Sequence, residues 1–258
     1  MASLSSRIGI YPSIQWATFG WAFFLGENAI LSENRTWIID QLGDENYHLF
    51  YGLISTSACA SIGYGYYKLR NNKVIIPPNL IIWKRVPPIP AAVGAWACMS
   101  MGLLLASQTL PKFQIPVATE NKRLQVRCPF DFTGNKDQDA ALMYGSERIT
   151  RHPGLWSLGL IGLGQSLVAT SIPMRLWWTG PSMVAWMGGS HTDSRYRRGM
   201  GGSMDPAFDS QTSNIPFWAL ICGKQGSGSW GALWNEQKEL NTAAAIAAST
   251  IWILRKVR

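Results

Sequence analysis

Apolar residues come along this chain in long unbroken runs rather than in stripes. Five segments of about 20 residues, 13–32, 48–67, 88–110, 154–171 and 172–189, are mostly apolar, and a sixth, 240–254, is short and Ala-rich. A helix needs about 20 apolar residues to cross a bilayer. The stretches 88–110 and 154–174 contain no Asp, Glu, Lys or Arg, a length and purity uncommon in soluble helices. Trp and Tyr gather at the run ends, as interface anchors do: Trp16, Trp37, Tyr66, Tyr67, Trp83, Trp177 and Trp178. Polar residues collect in two long stretches, 111–153 and 190–239. The pattern predicts an all-α polytopic membrane helix bundle of about six transmembrane helices with two long extramembrane loops. Its parts are an N-terminal segment (1–12), the bundle (13–200), an extramembrane loop (201–239) and a C-terminal helix with a basic tail (240–258). Within the polar stretches, 199–214 reads as an extended loop and 223–231 as a flexible turn. The latter lacks the G-x-x-x-x-G-K-[ST] order of a phosphate loop. Small residues in the second and third runs, among them Ser61, Gly63, Ala91 and Gly94, permit close helix approach.

Composition agrees. Charged residues are 15% of 258, well below the usual quarter, and Trp counts 13. Mean hydropathy is +0.01 because the polar loops average the spans down. Disordered chains, disulfide scaffolds and coiled coils are excluded. Cys59, Cys98, Cys128 and Cys222 form neither a framework nor a zinc pattern, so no metal site is predicted. The net charge of +8 is distributed by side, which argues against a nucleic-acid partner. With six spans, the side holding both termini and the 68–87 loop has ten Lys/Arg and no acid; the other has 13 Lys/Arg and 14 Asp/Glu. That asymmetry places the termini on the cytoplasm-equivalent side.

Two polar motifs adjoin spans. Arg148-Ile149-Thr150-Arg151-His152-Pro153 precedes the fourth, and His191-Thr192-Asp193-Ser194-Arg195 follows the fifth. The two spans form a hairpin, so its open ends should meet. Arg148, Arg151, His152, His191, Asp193 and Arg195 are expected at one membrane edge, with Asp193 paired to an Arg. Pro153 suits a first helical turn, where a missing N–H costs nothing. No Ser-His-Asp arrangement is supported, and no catalytic residue is assigned. RHP-like motifs also occur in isoprenylcysteine-type methyltransferases, but their downstream acidic and aromatic pattern is not seen.

These motifs carry a resemblance. The chain resembles the zeta-carotene isomerase and NnrU group of membrane proteins through Phe23-Phe24-Leu25-Gly26-Glu27-Asn28 with Ser32 and Arg35. Leu42-Gly43-Asp44-Glu45-Asn46-Tyr47, Leu142-Met143-Tyr144-Gly145 with the RITRHP run, and HTDSR with Arg197 and Arg198 extend it. It covers most of 15–200. The resemblance implies a b-type heme held by two histidines and isomerisation of a central cis double bond in a poly-cis carotene. Here the two matching positions are Asn28 and, thirteen residues past His152, Gln165. Amide oxygens are poor iron ligands beside imidazole. The remaining histidines are His48, His152 and His191; His48 beside Tyr47 reads as a helix-end anchor. Heme b is therefore not expected.

Glu27, Asn28 and Gln165 are polar groups inside spans and should face the bundle interior. An interhelical hydrogen bond from Gln165 to Asn28 is the expectation. The alternative is an oxygen ligand to the magnesium of a chlorophyll, and a carotenoid is the other pigment the resemblance suggests. The reading is a non-catalytic, isomerase-derived multipass protein: an accessory subunit of an organellar energy-transducing complex. Its partners are membrane lipids and the other subunits. A photosystem of the plastid thylakoid comes first, a respiratory complex of the mitochondrial inner membrane second. The alternative is an active 15-cis-zeta-carotene isomerase.

Overall fold

A computed structural model describes residues 11–84, 86–109, 143 and 145–257, and the backbone of 117–120 and 123–126. Arg7, Arg85, Cys128, Leu142, Tyr144 and Arg258 lie outside these residues. The described chain is helical, with one short antiparallel hairpin. It divides into two compact units, 1–95 with 162–180 and 253–258, and 96–161 with 181–252.

In the first unit, α1 (Pro12–Glu33) starts on a proline, which needs no N–H partner there. It ends where both the backbone and side-chain N–H of Asn34 donate to Ile30 O. After α2 (Arg35–Leu42), Gly43 takes a left-handed φ of 80°, which turns the chain into α3 (Asp44–Arg70). Asp44 and Glu45 in the first turn of α3, and Lys68 and Arg70 in its last, complement the helix dipole. α1 and α3 cross closely. A methyl on Gly20 would meet the backbone of Ser61 and Ile62, and one on Gly65 would meet Trp16 O. Trp177 donates to Ile62 O at 3.1 Å and packs against Tyr66 and Trp21, 4.6 and 5.6 Å away. Ile81 pairs with Ser171, and Arg175 lies over the Trp83 ring while its Nε donates to Ser166 O.

In the second unit, α4 (Ile89–Thr109) and α12 (Glu239–Val257) are joined by polar contacts at several levels. Trp96 donates to Thr250 at 2.9 Å, Ser100 and Ser249 share a 2.5 Å bond, Gln108 bonds Gln237, and Asn241 donates to Ser107 O. Ser249 is fully buried. Gly102 admits Ile161 and Ser157 O of α6 (Pro153–Val168). The core of this unit is Leu105, Ile149, Leu220 and Leu233, flanked by Met101, Trp156, Leu160 and Phe217. Hairpin β1 (Val117–Glu120) and β2 (Arg123–Val126) pairs Val117 with Val126 and Glu120 with Arg123.

Long helices occupy all six apolar runs: α1, α3, α4, α6, α12 and the continuous stretch α7 (Ile172–Met183), a π turn (Val184–Gly188) and α8 (Gly189–Arg197). Among the described residues one helix, α4, is long and apolar enough to cross a membrane by length and composition. α6 has 16 residues, short of the usual span. α1 and α3 draw much of their apolar surface from Trp, Tyr, Gly and Ser, and α1 carries Glu27 and Glu33. Two local expectations are corrected. The fifth helix does not stop at 189 but runs through HTDSR to Arg197. The 199–214 stretch is not wholly extended, because Asp205 accepts N–H bonds from Ala207 and Phe208 and so caps α9 (Pro206–Gln211). Further on, α10 (Trp218–Ile221) and α11 (Ser229–Glu236) flank a turn with left-handed Gly223, Gly226 and Gly228.

Candidate functional site

The RITRHP run begins in the one-turn helix α5 (Ser146–Ile149) and becomes extended at Thr150 before α6. Phe217 N donates to Ile149 O at 2.7 Å, Thr150 Oγ1 donates to Asn214 O, and Arg151 N donates to Ser213 O. This pairing turns the Arg151 side chain inward, where it is 5% exposed. Its Nη1 donates to Asp193 Oδ2 at 2.8 Å, its Nε to Thr212 Oγ1, and its Nη2 to the Asp209 and Thr212 carbonyls. Asp209 Oδ1 lies 2.7 Å from the same Nη2. The other oxygen of Asp193 is bound by His152 Nε2 at 2.7 Å. Pro153 opens α6 directly after His152. One buried carboxylate therefore takes an arginine on one oxygen and an imidazole on the other.

Two further pairs extend this network. Arg197 binds Asp209 through both carboxylate oxygens at 2.7 and 2.8 Å, which holds the Asp209 carboxyl below its usual range despite partial burial. Arg148 does not join Asp193. It makes a bidentate pair with Glu236, at 2.8 and 2.7 Å, and Gly145 N donates to the same carboxylate. The Arg148 bonds, aided by Gly145 N–H, hold Glu236 below its usual range. Asn214 is a hub: it accepts from Trp156 Nε1 and donates to Trp186 O and Ser190 Oγ. His191 and Arg195 share α8 with Asp193 but stand two residues from it on different faces; the Arg195 guanidinium lies against Gly201. Glu236, Asp209 and Asn214 carry no sequence signal, because each meets its partner across a long chain separation.

This arrangement ties together segments far apart in the chain. Each guanidinium nitrogen of Arg151 donates to an acceptor, and both oxygens of Asp193 are bound. A buried ion cluster of this kind adds little net stability. It does fix the geometry of the segments it joins: 148–153, α8, α9 and the 212–217 stretch.

In the first unit, Glu27 and Gln165 are both buried, each 7% exposed. Asn28 is bound within α1 and α3. Tyr51 Oη donates to Asn28 Oδ1 at 2.7 Å, and Asn28 Nδ2 donates to Phe24 O and to Glu27 Oε1. Tyr51 is thus a partner of Asn28 that the sequence did not single out. The Glu27 carboxyl is buried and is hydrogen-bonded by Asn28 and Ser55.

The donor set does not fit an axially bound b-type heme. At the two positions the resemblance assigns to iron stand amides, and the oxygen of one already accepts a hydroxyl proton. Of the histidines, His48 lies one turn into α3 facing Asp44, His152 is held by Asp193, and His191 is on α8. No imidazole occupies either position.

No curated protein and no solved structure matches the chain. Residues 17–254 match the NnrU protein family, which extends the likeness well past residue 200. With nearly the whole chain covered, this protein belongs to the NnrU family.

Proposed function

We propose that this chain is a multipass membrane protein of the NnrU family that works as a structural subunit of an energy-transducing membrane complex, without heme chemistry of its own. The carrying observation is the donor set at Asn28 and Gln165, together with the Tyr51 bond that closes Asn28. A chain that kept the helices and the Arg151–Asp193–His152 network, but replaced both imidazoles, retains a scaffold and not a reaction centre.

The multipass reading rests on six helices that coincide with the six apolar runs. Large apolar side chains stand exposed on several of them, including Phe19 on α1, Leu53 on α3, Val93 on α4 and Ile251 on α12. Such faces need lipid or protein cover. The polar α4–α12 contacts resemble the small-residue and hydroxyl packing of membrane helices. A plastid thylakoid complex such as a photosystem is the first assignment, since the resemblance points to carotenoid-making membranes; a mitochondrial respiratory complex is the second. The buried Glu27 carboxyl beside Asn28 supports one addition, an oxygen donor to a pigment such as chlorophyll.

A native gel of membranes solubilised in mild detergent, with mass spectrometry of the band holding this chain, tests the proposal. Stoichiometric co-migration with the subunits of one such complex is the expected result. Migration of the chain by itself, with restoration of all-trans pigment in the dark in an isomerase-deficient strain, would overturn it.

A further inference from the structure

Between Asp209 and Glu236 the sequence has no acidic residue, and Lys224 is its one charge. Helices α10 and α11 both lie in this stretch. α10 buries Ala219 and Leu220 and turns Trp218 and Ile221 outward, 51% and 67% exposed. α11 buries Ser229 and Leu233 and turns Trp230 and Trp234 outward, 53% and 78% exposed. The spacings, i to i+3 on α10 and i to i+4 on α11, put each outward pair on one face. Trp230 also stacks on Phe217, with ring centroids 6.2 Å apart. Their inner faces supply Leu220 and Leu233 to the core cluster. Apart from Asn235 at the end of α11, the outward side chains of both helices are apolar or Trp, whereas a helix with water on its outer side carries mostly polar residues there.

We propose that the outward face of α10 and α11 lies in the interfacial layer of the bilayer, with Trp218, Trp230 and Trp234 at headgroup depth and Ile221 among the upper acyl chains. Three features select a lipid surface over a protein. Three of the five outward side chains, Trp218, Ile221, Trp230, Trp234 and Asn235, are Trp, the residue whose apolar ring and single N–H suit the boundary between acyl chains and water. The segment offers no negative charge to lipid phosphates, and Lys224 and Lys238 flank the helices as counter-charges. The helices are also tied to the starts of two long helices. Phe217 N and Gln225 Nε2 donate to the carbonyls of Ile149 and Arg148, just before α6, and only two residues separate α11 from α12. This inference rests on the reading of α6 and α12 as spans. On it, the 218–234 part of the supposed extramembrane loop is an interfacial platform.

The test uses the full chain, with its four cysteines replaced by alanine, reconstituted in phosphatidylcholine–phosphatidylglycerol vesicles. Single variants Trp234→Cys, Ile221→Cys and Val93→Cys carry a bimane label. Nitroxide lipids labelled at the headgroup or deep in the chain, and aqueous iodide, serve as quenchers. The inference predicts that labels at 234 and 221 lose most fluorescence to the headgroup nitroxide and emit to the blue of an aqueous label. Strong quenching by iodide and none by either lipid at both positions would overturn it, leaving the face open to a protein partner. Val93, on the exposed side of α4, separates the two readings. Deep quenching at 93 with aqueous labels at 234 and 221 sinks the platform alone. Loss of deep quenching at 93 sinks the spanning reading and the platform with it. Ile221→Cys keeps the test open should Trp234→Cys disturb folding.

Discussion

At the residue scale, the Arg148–Glu236 and Arg151–Asp193 pairs carry different weights. Glu236 and Arg148 are mostly buried, with side chains 15% and 16% exposed. Replacing Glu236 with Gln removes a bidentate charged bond and should cost roughly 1.5–3 kcal/mol. The pH dependence follows from the direction of its shift. Glu236 is held below its ordinary value in the folded chain, so the pair contributes fully above the unfolded-state value of about 4.3. The contribution disappears as pH falls through the lowered folded value. Thermal melts on the acid side should show a falling midpoint in the parent and a flatter one in E236Q; parallel curves would contradict this. Arg151→Lys should be worse at neutral pH, near ~3–5 kcal/mol, since one ammonium cannot serve the carboxylates and carbonyls the guanidinium reaches. A midpoint within the error of the parent would remove Arg151 from the account. The sequence made Arg151, His152 and Asp193 visible, because short polar motifs beside apolar runs stand out. It hid Glu236, which meets Arg148 from 88 residues away, and Tyr51, an ordinary aromatic in an apolar run.

At the element scale, the six long helices were legible from run length alone. Their details were not. The π turn at Val184–Gly188 follows Pro181 inside the helix, and neither residue type announces that the helix continues through HTDSR. Helices α9, α10 and α11 are 6, 4 and 8 residues long, too short to impose a period on a Gly/Ser-rich stretch. Helix pairing was half legible, since small residues marked α3 and α4 as close-packing without naming a partner. Two substitutions test the pairs observed. Gly65→Ala drives a methyl into the Trp16 carbonyl and should destabilise the α1–α3 crossing by about 1–3 kcal/mol. Ser249→Leu forces a larger side chain into the fully buried contact with Ser100 and should loosen α12 from α4 by a similar amount. Disulfide trapping between cysteines placed at 96 and 250 reads the second effect: it should proceed in the parent background and fail when Ser249→Leu is added. Equal trapping in both would mean that α12 is held elsewhere.

At the scale of the whole molecule, charge distribution and apolar runs together propose six crossings, while length and composition single out α4 among the described helices. Protease protection on sealed organelles or vesicles decides between the counts. An even number of crossings leaves both termini on one side and the 199–214 stretch on the other, so a single protease should release either the termini or that stretch, not both. Release of the N-terminus together with the 199–214 stretch would show that the number or the orientation is wrong. The chain belongs to the NnrU family, and at the two positions where the resemblance to zeta-carotene isomerases implies imidazoles it carries Asn28 and Gln165. The optical spectrum of the purified chain, before and after dithionite, tests that claim most directly. The account predicts no dithionite-sensitive bands of a b-type heme in the parent chain, with Asn28→His and Gln165→His together as the smallest change that could introduce them. A stoichiometric, dithionite-reducible b-type heme in the unmodified protein would contradict it.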